Sequence, residues 1–157
     1  MADERWRQLY RYWLSKHADG RPPSREDLDP ILEIPRLVSN LMLMDVVAEG
    51  YRYCVLGSDI ADRHRVALTG KFFGSSGVDK QALIELRAAL DWVVANHKPM
   101  LLEALMEGKE RGKNTMLILP LVSADGRVHK ILAGSFYNEY FDWRSRRAGM
   151  LAKVLDP

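Results

Sequence analysis

Apolar positions near the N-terminus recur at helical spacing and predict an amphipathic helix over about residues 3–17. Its apolar side is formed by Trp6, Leu9, Tyr10 and Trp13. Basic and polar residues fill most of the remaining positions. Because so short a helix is marginal in water by itself, we expect its aromatic side to pack against a folded surface.

Two pairs of apolar runs separated by turn residues predict two β-hairpins. The first pair covers residues 40–47 and 51–56 and is joined through Gly50. The second covers 114–123 and 129–137, with Asp125-Gly126 as a strong turn signal. We therefore expect four strands, in two antiparallel pairs, at the two ends of a central region.

The region between the hairpins is predicted to be mainly helical. Residues 79–97 form the clearest helix, with apolar residues at alternating spacings of three and four. A shorter helix is expected over 59–67. Residues 99–107 stay ambiguous, because their composition favours helix while their position before two strands favours a strand. A trailing helix is predicted over 144–155.

This order of elements indicates an α+β domain built around one antiparallel sheet. The chain divides into an N-terminal helix and linker at 1–26, a core at 27–140, and a C-terminal helical tail at 141–157. Its 157 residues, 47% of them hydrophobic, suit one domain with a core of its own.

Charge and hydropathy exclude several classes of function. The 23 basic and 21 acidic residues nearly balance, so no broad basic field for nucleic acid is expected. No apolar run approaches the roughly 20 residues that span a bilayer, and the N-terminus lacks the apolar segment of a signal peptide. We expect a cytoplasmic protein that binds neither membrane nor nucleic acid.

The cysteine and histidine content argues against metal binding. A single cysteine, Cys54, excludes an intrachain disulfide and a cysteine-based zinc site. His17 and His129 lie too far apart in sequence for a local metal motif. We therefore predict no metal site.

The local sequence resembles the small stand-alone alphaproteobacterial PAS domain family over roughly residues 6–140. The matching pieces, in chain order, are Trp13, Pro23-Ser24-Arg25, Asp29-Pro30, Leu43-Met44-Asp45-Val46, Tyr51-Arg52-Tyr53, Leu56-Gly57-Ser58, Leu68-Thr69-Gly70, Pro120-Leu121-Val122-Ser123, Asp125-Gly126 and Ile131-Leu132-Ala133-Gly134. Each piece alone is common turn or strand chemistry. Their order and spacing together carry the resemblance.

The resemblance implies a PAS-like five-stranded antiparallel sheet in order 2-1-5-4-3, with helices on one face, plus the N-terminal amphipathic helix. It also implies a sensory or interaction module and names no ligand. The sheet and the long helix would enclose an apolar space. Candidates for its walls are Tyr53, Val55, Leu68, Leu90, Leu119, Leu132 and Phe136.

The cofactor chemistries known for this fold do not suit the sequence. A flavin photosensor would resemble the light-sensing branch, with an Asn-Cys pair on a central helix, whereas Cys54 lies in a predicted strand. A haem sensor needs an axial ligand, most often histidine. His97 ends the long helix and His64 lies between Arg63 and Arg65, positions typical of exposed residues. The cofactor is left unknown, with haem and flavin disfavoured.

Catalysis is not expected from the sequence. Asp45 is the most interesting carboxylate because it lies in an otherwise apolar strand, where burial would raise its pKa. The ordinary explanation is an ion pair with Arg52 across the first hairpin. Nucleophile and phosphate-loop motifs do not occur.

Three functions follow, in order of preference. The first is a stand-alone sensor or adaptor that binds a small ligand or a partner protein and passes a signal to a separate signalling protein. The second is an interaction module whose core is filled and holds no ligand. The third is an enzyme that uses Asp45 or a histidine in the pocket. We also predict a homodimer whose interface is formed by Trp6, Tyr10 and Trp13.

Overall fold

The computed structural model describes residues 4–64, 67–74, 80–106, 112–138, 141 and 147–155. Its helices are α1 (Arg5–Ser15), α2 (Pro30–Glu33), α3 (Ser58–His64) and α4 (Lys80–Asn96), with 3-10 turns at Arg25–Asp27 and Pro35–Asn40. Its strands are β1 (Leu41–Val47), β2 (Gly50–Leu56), β3 (Met100–Met106), β4 (Lys113–Val122), β5 (Val128–Tyr137) and β6 (Arg147–Val154). The helices predicted over 3–17, 59–67 and 79–97 are confirmed in the described residues, except that the second ends at His64 and not at residue 67. Residues 3, 65, 66 and 79 of these predicted helices lie outside the described residues.

The strands form one antiparallel sheet in the order β2-β1-β5-β4-β3-β6. The first five keep the predicted order 2-1-5-4-3, so the predicted α+β fold is confirmed. The ambiguous segment 99–107 contains β3, which pairs with β4 on one side and β6 on the other. Tertiary pairing thus outweighs the helical propensity of its leucines and methionines.

The prediction of a C-terminal helix over 144–155 was wrong, because residues 147–154 form strand β6. Their alanine, leucine, methionine and lysine content favours a helix when the segment is considered alone. The free edge of β3 offers unpaired backbone groups, however, and β6 pairs along it from Arg147 to Val154. The sheet therefore has six strands where five were expected.

The two faces of the sheet are covered by different elements. Helices α3 and α4 cover the face that we call the inner face, where the core includes Met44, Tyr53 and Leu90. Helix α1 and residues 25–40 cover the opposite, outer face, where the core includes Trp13, Leu119 and Leu132. Alternate residues of β1, β3, β4 and β5 therefore belong to two separate cores.

Helix α1 lies directly on the outer face of its own sheet, over β4 and β5. The indole Nε1 of Trp13 donates a hydrogen bond to the backbone oxygen of Pro120 at 3.0 Å. Gly134 permits the close approach, because a Cβ atom there would lie 2.5 Å from Cδ2 of Leu9. The prediction that this helix covers a folded surface is confirmed, and the surface is the chain's own sheet.

Candidate functional site

A cavity lies between the inner face of the sheet and helices α3 and α4. Its walls include Met42, Met44, Tyr53, Leu86, Leu90 and Met116. The cavity volume is about 30 Å³, which is enough for roughly one water molecule. The side chains of the inner core therefore fill nearly all the space between the sheet and the helices.

Two polar side chains join these apolar walls. His64 is buried, although its arginine neighbours led us to expect exposure, and it lines the cavity together with Ser135. The hydroxyl of Ser135 donates to Oδ1 of Asn114 at 3.0 Å. Nδ2 of the fully buried Asn114 has no hydrogen-bond partner among the described residues. Asn114 does not line the cavity, so His64 and Ser135 supply polar groups at the cavity itself. The sequence analysis missed both, and a serine within an apolar strand is the one signal that could have indicated them.

The cavity is far smaller than a cofactor of the sizes considered for this fold. Pockets that hold drug-sized ligands are typically about 300–1,000 Å³. A flavin or a haem would require Met44, Tyr53 and Leu90 to move apart, because these side chains occupy the interior. The described cavity therefore does not fit either group.

Three of the seven predicted wall residues belong to the inner core. Tyr53 and Leu90 line the cavity, and Leu68 is buried in the same cluster. Burial raises the pKa of the Tyr53 phenol, so the side chain is neutral at physiological pH. Tyr53 thus brings an uncharged hydroxyl group to the cavity wall.

The prediction was wrong for the other four wall residues, because the structure places them away from the inner cavity. Leu119, Leu132 and Phe136 lie in the outer core, and Val55 is 58% exposed. In β4 and β5 the residues that face α4 alternate with those that face α1. A prediction that is off by one residue along the strand therefore selects side chains on the opposite face.

A β-bulge explains the position of Val55. In the pairing of β1 with β2, Met44 is opposite Tyr53 while Leu43 is opposite Val55, so Cys54 is the extra residue. The extra residue reverses the alternation, and Val55 points away from the face that Tyr53 occupies. Periodicity alone could not reveal this insertion.

Asp45 lies on the outer side of the sheet, among charged partners. Its carboxylate accepts from Arg52 at 2.9 Å, which confirms the predicted cross-strand ion pair, and it also pairs with Lys130. Hydrogen bonds from the Cys54 thiol and from Lys130 hold the pKa of Asp45 well below its ordinary value. A carboxylate that stays ionised in this way is suited to an ion pair and poorly suited to proton transfer at neutral pH.

The outer face carries a second, larger depression, which we call the outer groove. It lies between residues 25–40 and strands β1 and β2, and its volume is about 570 Å³. Its lining is mainly apolar and includes Ile31, Val38, Leu43, Val55 and Leu132. This groove was not predicted from the sequence, in which the apolar Pro-Ile-Leu run at residues 30–32 is the one signal for it.

The three predicted interface residues are only partly available to another molecule. The Trp13 side chain is fully buried between α1 and the sheet, while Trp6 and Tyr10 are partly buried at the edge of the outer core. The Tyr10 ring stacks on Trp13 at a centroid distance of 6.1 Å. The chain's own sheet therefore covers most of the aromatic side of α1, which was predicted to form the dimer interface.

Two further observations concern possible metal ligands and long apolar helices. Across ranges 4–64, 67–74, 80–106, 112–138 and 147–155, no cluster of three histidine, cysteine or acidic side chains could hold a metal ion. No helix in the same residues is both long and apolar enough to cross a membrane.

Comparison with solved structures finds light-oxygen-voltage domains. One studied with a flavin analogue is 16% identical, with a TM-score of 0.46, over 64% of this chain and 78% of that one. The light-state Aureochrome1 domain, a blue-light photoreceptor, is 11% identical, with a TM-score of 0.47, over 71% and 91%. An RNA-binding light-oxygen-voltage receptor is 16% identical, with a TM-score of 0.46, over 73% and 36%.

Comparison with protein sequences gives the family. No curated protein is similar enough to count as a relative. Residues 1–136, which include α1 and every strand from β1 to β4, match the family described as PAS domain. This match covers most of the 157 residues, and the strand order of the sheet agrees with it. The chain belongs to the PAS domain family.

Proposed function

We propose that this PAS domain acts as an interaction module, with a filled core, that recognises another protein through its surface. PAS domains commonly sense signals and mediate interactions. The observation that carries the proposal is the contrast between an inner cavity of about 30 Å³ and an apolar outer groove of about 570 Å³. Space for a binding partner lies outside the core.

The filled core supports the second of the three hypotheses, an interaction module without a ligand, over a ligand-binding sensor. A ligand-binding interior would need free volume beside Tyr53 and Leu90, and these side chains are packed against their neighbours. An enzymatic role gains no support from Asp45, whose carboxylate is engaged by Arg52 and Lys130 on the other side of the sheet. That the chain is not an enzyme, and that it is cytoplasmic, remain predictions.

Native mass spectrometry of freshly purified protein tests the proposal. We expect the mass of the polypeptide, or a whole multiple of it, with no added species. A retained molecule of several hundred daltons that is released on unfolding would overturn the filled-core proposal. A visible absorption band in the same sample would do so as well, by revealing a bound chromophore.

A further inference from the structure

We propose that an extended, partly acidic segment of another protein binds to the free edge of strand β6 and continues the sheet as a seventh strand. In this mode of recognition, backbone hydrogen bonds give affinity and alternate side chains give specificity. The inference rests on the proposed function and names the class of partner and a second surface. That surface is separate from the outer groove, which lies beside β1 and β2 at the other end of the sheet.

The chain covers one edge of its sheet and leaves the other open. At the β2 edge, the backbone N–H of Tyr53 donates to Lys71 at 2.9 Å, and its oxygen accepts from Gly70 at 2.7 Å. The backbone oxygen of Tyr51 accepts from the N–H of Phe73 at 2.8 Å. In the part of the chain that the structure describes, no segment makes such bonds along the edge of β6 that faces away from β3.

The direction of the backbone groups along β6 identifies what this open edge offers. The N–H of Leu155 donates to the oxygen of Pro99 at 3.2 Å, so Leu155 directs its backbone groups towards the β3 side. This direction alternates along an antiparallel strand, and the register with β3 is regular over this stretch. The N–H and C=O groups that point away from β3 are therefore those of Met150, Ala152 and Val154. Such a row of groups is a template for a further strand.

Strand β6 also exposes apolar side chains on both faces of the sheet. Leu151 is 65% exposed and Val154 is 41% exposed. Val154 lies on the same face as Met150, which packs against the inner core. Leu151 lies on the opposite face. An added strand would therefore cover one apolar side chain on each face, in addition to pairing the backbone groups.

Charge indicates which strand would fit. Lys153 is exposed, lies on the same face as Leu151, and forms no ion pair within the described residues. Glu103, which is opposite Leu151 in β3, is already paired with Lys113 at 3.4 Å. An acidic side chain on the incoming strand beside Lys153 would form a cross-strand pair of opposite charges, which stabilises a sheet.

A different protein suits this edge better than a second copy of the chain. Residues 147–154 contain no acidic residue, so a second β6 could not supply a carboxylate beside Lys153. Pairing two copies would also bring two lysines into one small contact, where like charges are unfavourable. Lysine on an edge strand is a common protection against self-pairing. The partner that satisfies both the backbone and the charge is an apolar strand with an acidic residue.

Synthetic peptides as long as β6 test the binding mode. The first probe is a capped peptide of valine and threonine with one central glutamate, and the second has lysine at that position. The third is the glutamate peptide with N-methyl groups on the two residues that flank the glutamate, which removes the N–H groups that would face β6. Fluorescence polarisation measures affinity. We expect binding of the first probe, at least about three-fold weaker binding of the second, and at least about ten-fold weaker binding of the third.

Two variants of the edge test its location. Ala152→Pro removes an N–H that points away from β3, and proline is tolerated at such positions of edge strands. Lys153→Glu reverses an exposed charge, and Lys71→Glu makes the same change at the covered edge. We expect at least about five-fold weaker binding of the glutamate peptide by both β6 variants, and a change within about two-fold for Lys71→Glu. Lys153→Glu should also bind the lysine peptide better than the glutamate peptide.

Thermal melts show whether each variant is folded. Lys153→Glu changes only an exposed side chain, so it keeps the test decisive if the proline variant does not fold. Equal losses with Lys153→Glu and Lys71→Glu would overturn the assignment to β6.

Amide hydrogen exchange followed by NMR gives a residue-by-residue readout. In the free protein the amide of Ala152 should exchange quickly and that of Lys153 slowly, because only the latter is directed at β3. Saturating glutamate peptide should slow exchange at Ala152 and Val154 by at least about ten-fold. Unchanged exchange there with millimolar peptide would overturn the proposal. Protection that grows with protein concentration in the absence of peptide would overturn it in favour of a second copy.

Failure of this inference is distinguishable from failure of the proposed function. Absence of peptide binding, together with polypeptide mass alone in native spectra, would remove the β6 edge as a docking surface and leave a filled-core module that uses another surface. Retained non-polypeptide mass in those spectra would overturn the filled core, whatever the peptides do.

Discussion

The two faces of the sheet differ in how completely the chain covers them. On the inner face α3 and α4 close over an interior that keeps only about 30 Å³ of space. On the outer face α1 covers β4 and β5, while an apolar groove of about 570 Å³ stays open beside β1 and β2. In this domain the apolar surface that the chain leaves uncovered therefore lies on the outer face of the sheet.

The residue types of the two cores differ in a related way. Methionines contribute much of the inner core, including Met42, Met44, Met100 and Met116, whereas leucines and Trp13 dominate the outer core. Methionine fills irregular space because its side chain is flexible. The inner core can therefore be filled without a ligand, while the outer core contains Trp13, the largest fully buried side chain among the described residues.

The largest effect is expected from removing that side chain. Trp13→Ala should destabilise the protein by about 3–5 kcal/mol, because it leaves a large cavity under α1 and removes the hydrogen bond to Pro120. Urea denaturation measures the change. Trp6→Ala, at the partly exposed start of α1, is the control and should cost clearly less. A loss below about 1 kcal/mol for Trp13→Ala would contradict the packing of α1 on its own sheet.

Truncation in the inner core is expected to have the next largest effect. Leu90→Ala should cost about 2–5 kcal/mol in the free energy of unfolding, because Leu90 is buried and packed on the cavity wall. Chemical denaturation of the variant gives the value. A cost of only a few tenths of a kcal/mol would indicate a loosely filled interior and would favour the ligand-binding alternative.

A smaller effect is expected where α1 approaches the sheet most closely. In Gly134→Ala the new Cβ would meet Cδ2 of Leu9 at 2.5 Å and ring atoms of Phe136 at 2.9 Å. Since side chains and not backbone must shift, we expect a cost of about 1–3 kcal/mol. Unchanged thermal stability would show that α1 does not sit against this strand.

The ion pairs of Asp45 give a pH-dependent effect of about 1 kcal/mol. The pKa of Asp45 is lowered in the folded state, so its ionised form stabilises the fold. This contribution is complete above about pH 5 and is lost as the pH falls below about 4, toward the folded-state pKa. Asp45→Asn should therefore reduce stability at pH 7 and flatten its decline in acid. Denaturation at pH 7, 5 and 3 measures both.

A matched variant isolates the ion pairs from a general charge effect. Asp62→Asn removes an exposed carboxylate on α3, on the other side of the sheet. It should leave the acid dependence like that of the wild type. Equal flattening in both variants would show that net charge, and not the pairing of Asp45, governs the decline.

The smallest effect is expected at the bulged strand. Val55→Thr should change stability by less than about 0.5 kcal/mol, because the side chain is more exposed than buried. If Val55 faced the inner cavity, the added hydroxyl would be buried and the cost would rise above about 1 kcal/mol. Thermal denaturation of dilute samples separates these outcomes.

The hairpins and the main helices could be predicted because turn signals and periodicity are local properties, whereas the strand order was implied by the resemblance to the PAS family. Asp125-Gly126 marks the β4–β5 turn, and the spacing of Leu86, Leu90 and Val93 marks α4. Strand β6 could not be predicted from its composition, since the edge of β3 that pairs with it is distant in sequence. Long-range pairing overrides local propensity there.

The candidate site was predicted less well, because which face a strand residue occupies depends on register. Both faces of this sheet are apolar, so alternation in β4 and β5 carried no sign of which residues meet α4 and which meet α1. The bulge at Cys54 moved Val55 to the opposite face. The exposure of Ile31 and Leu32 follows from contacts of Glu33 with α1, which are equally non-local.

Methyl NMR spectra recorded with and without a soluble paramagnetic probe compare the two faces directly. Ile31 and Val55 report on the outer groove, and Met44 and Met116 report on the inner cavity. We predict that the probe broadens the groove methyl signals while those of the two methionines stay sharp. Methionine signals that broaden as strongly as the groove signals would contradict a filled interior and an open outer groove.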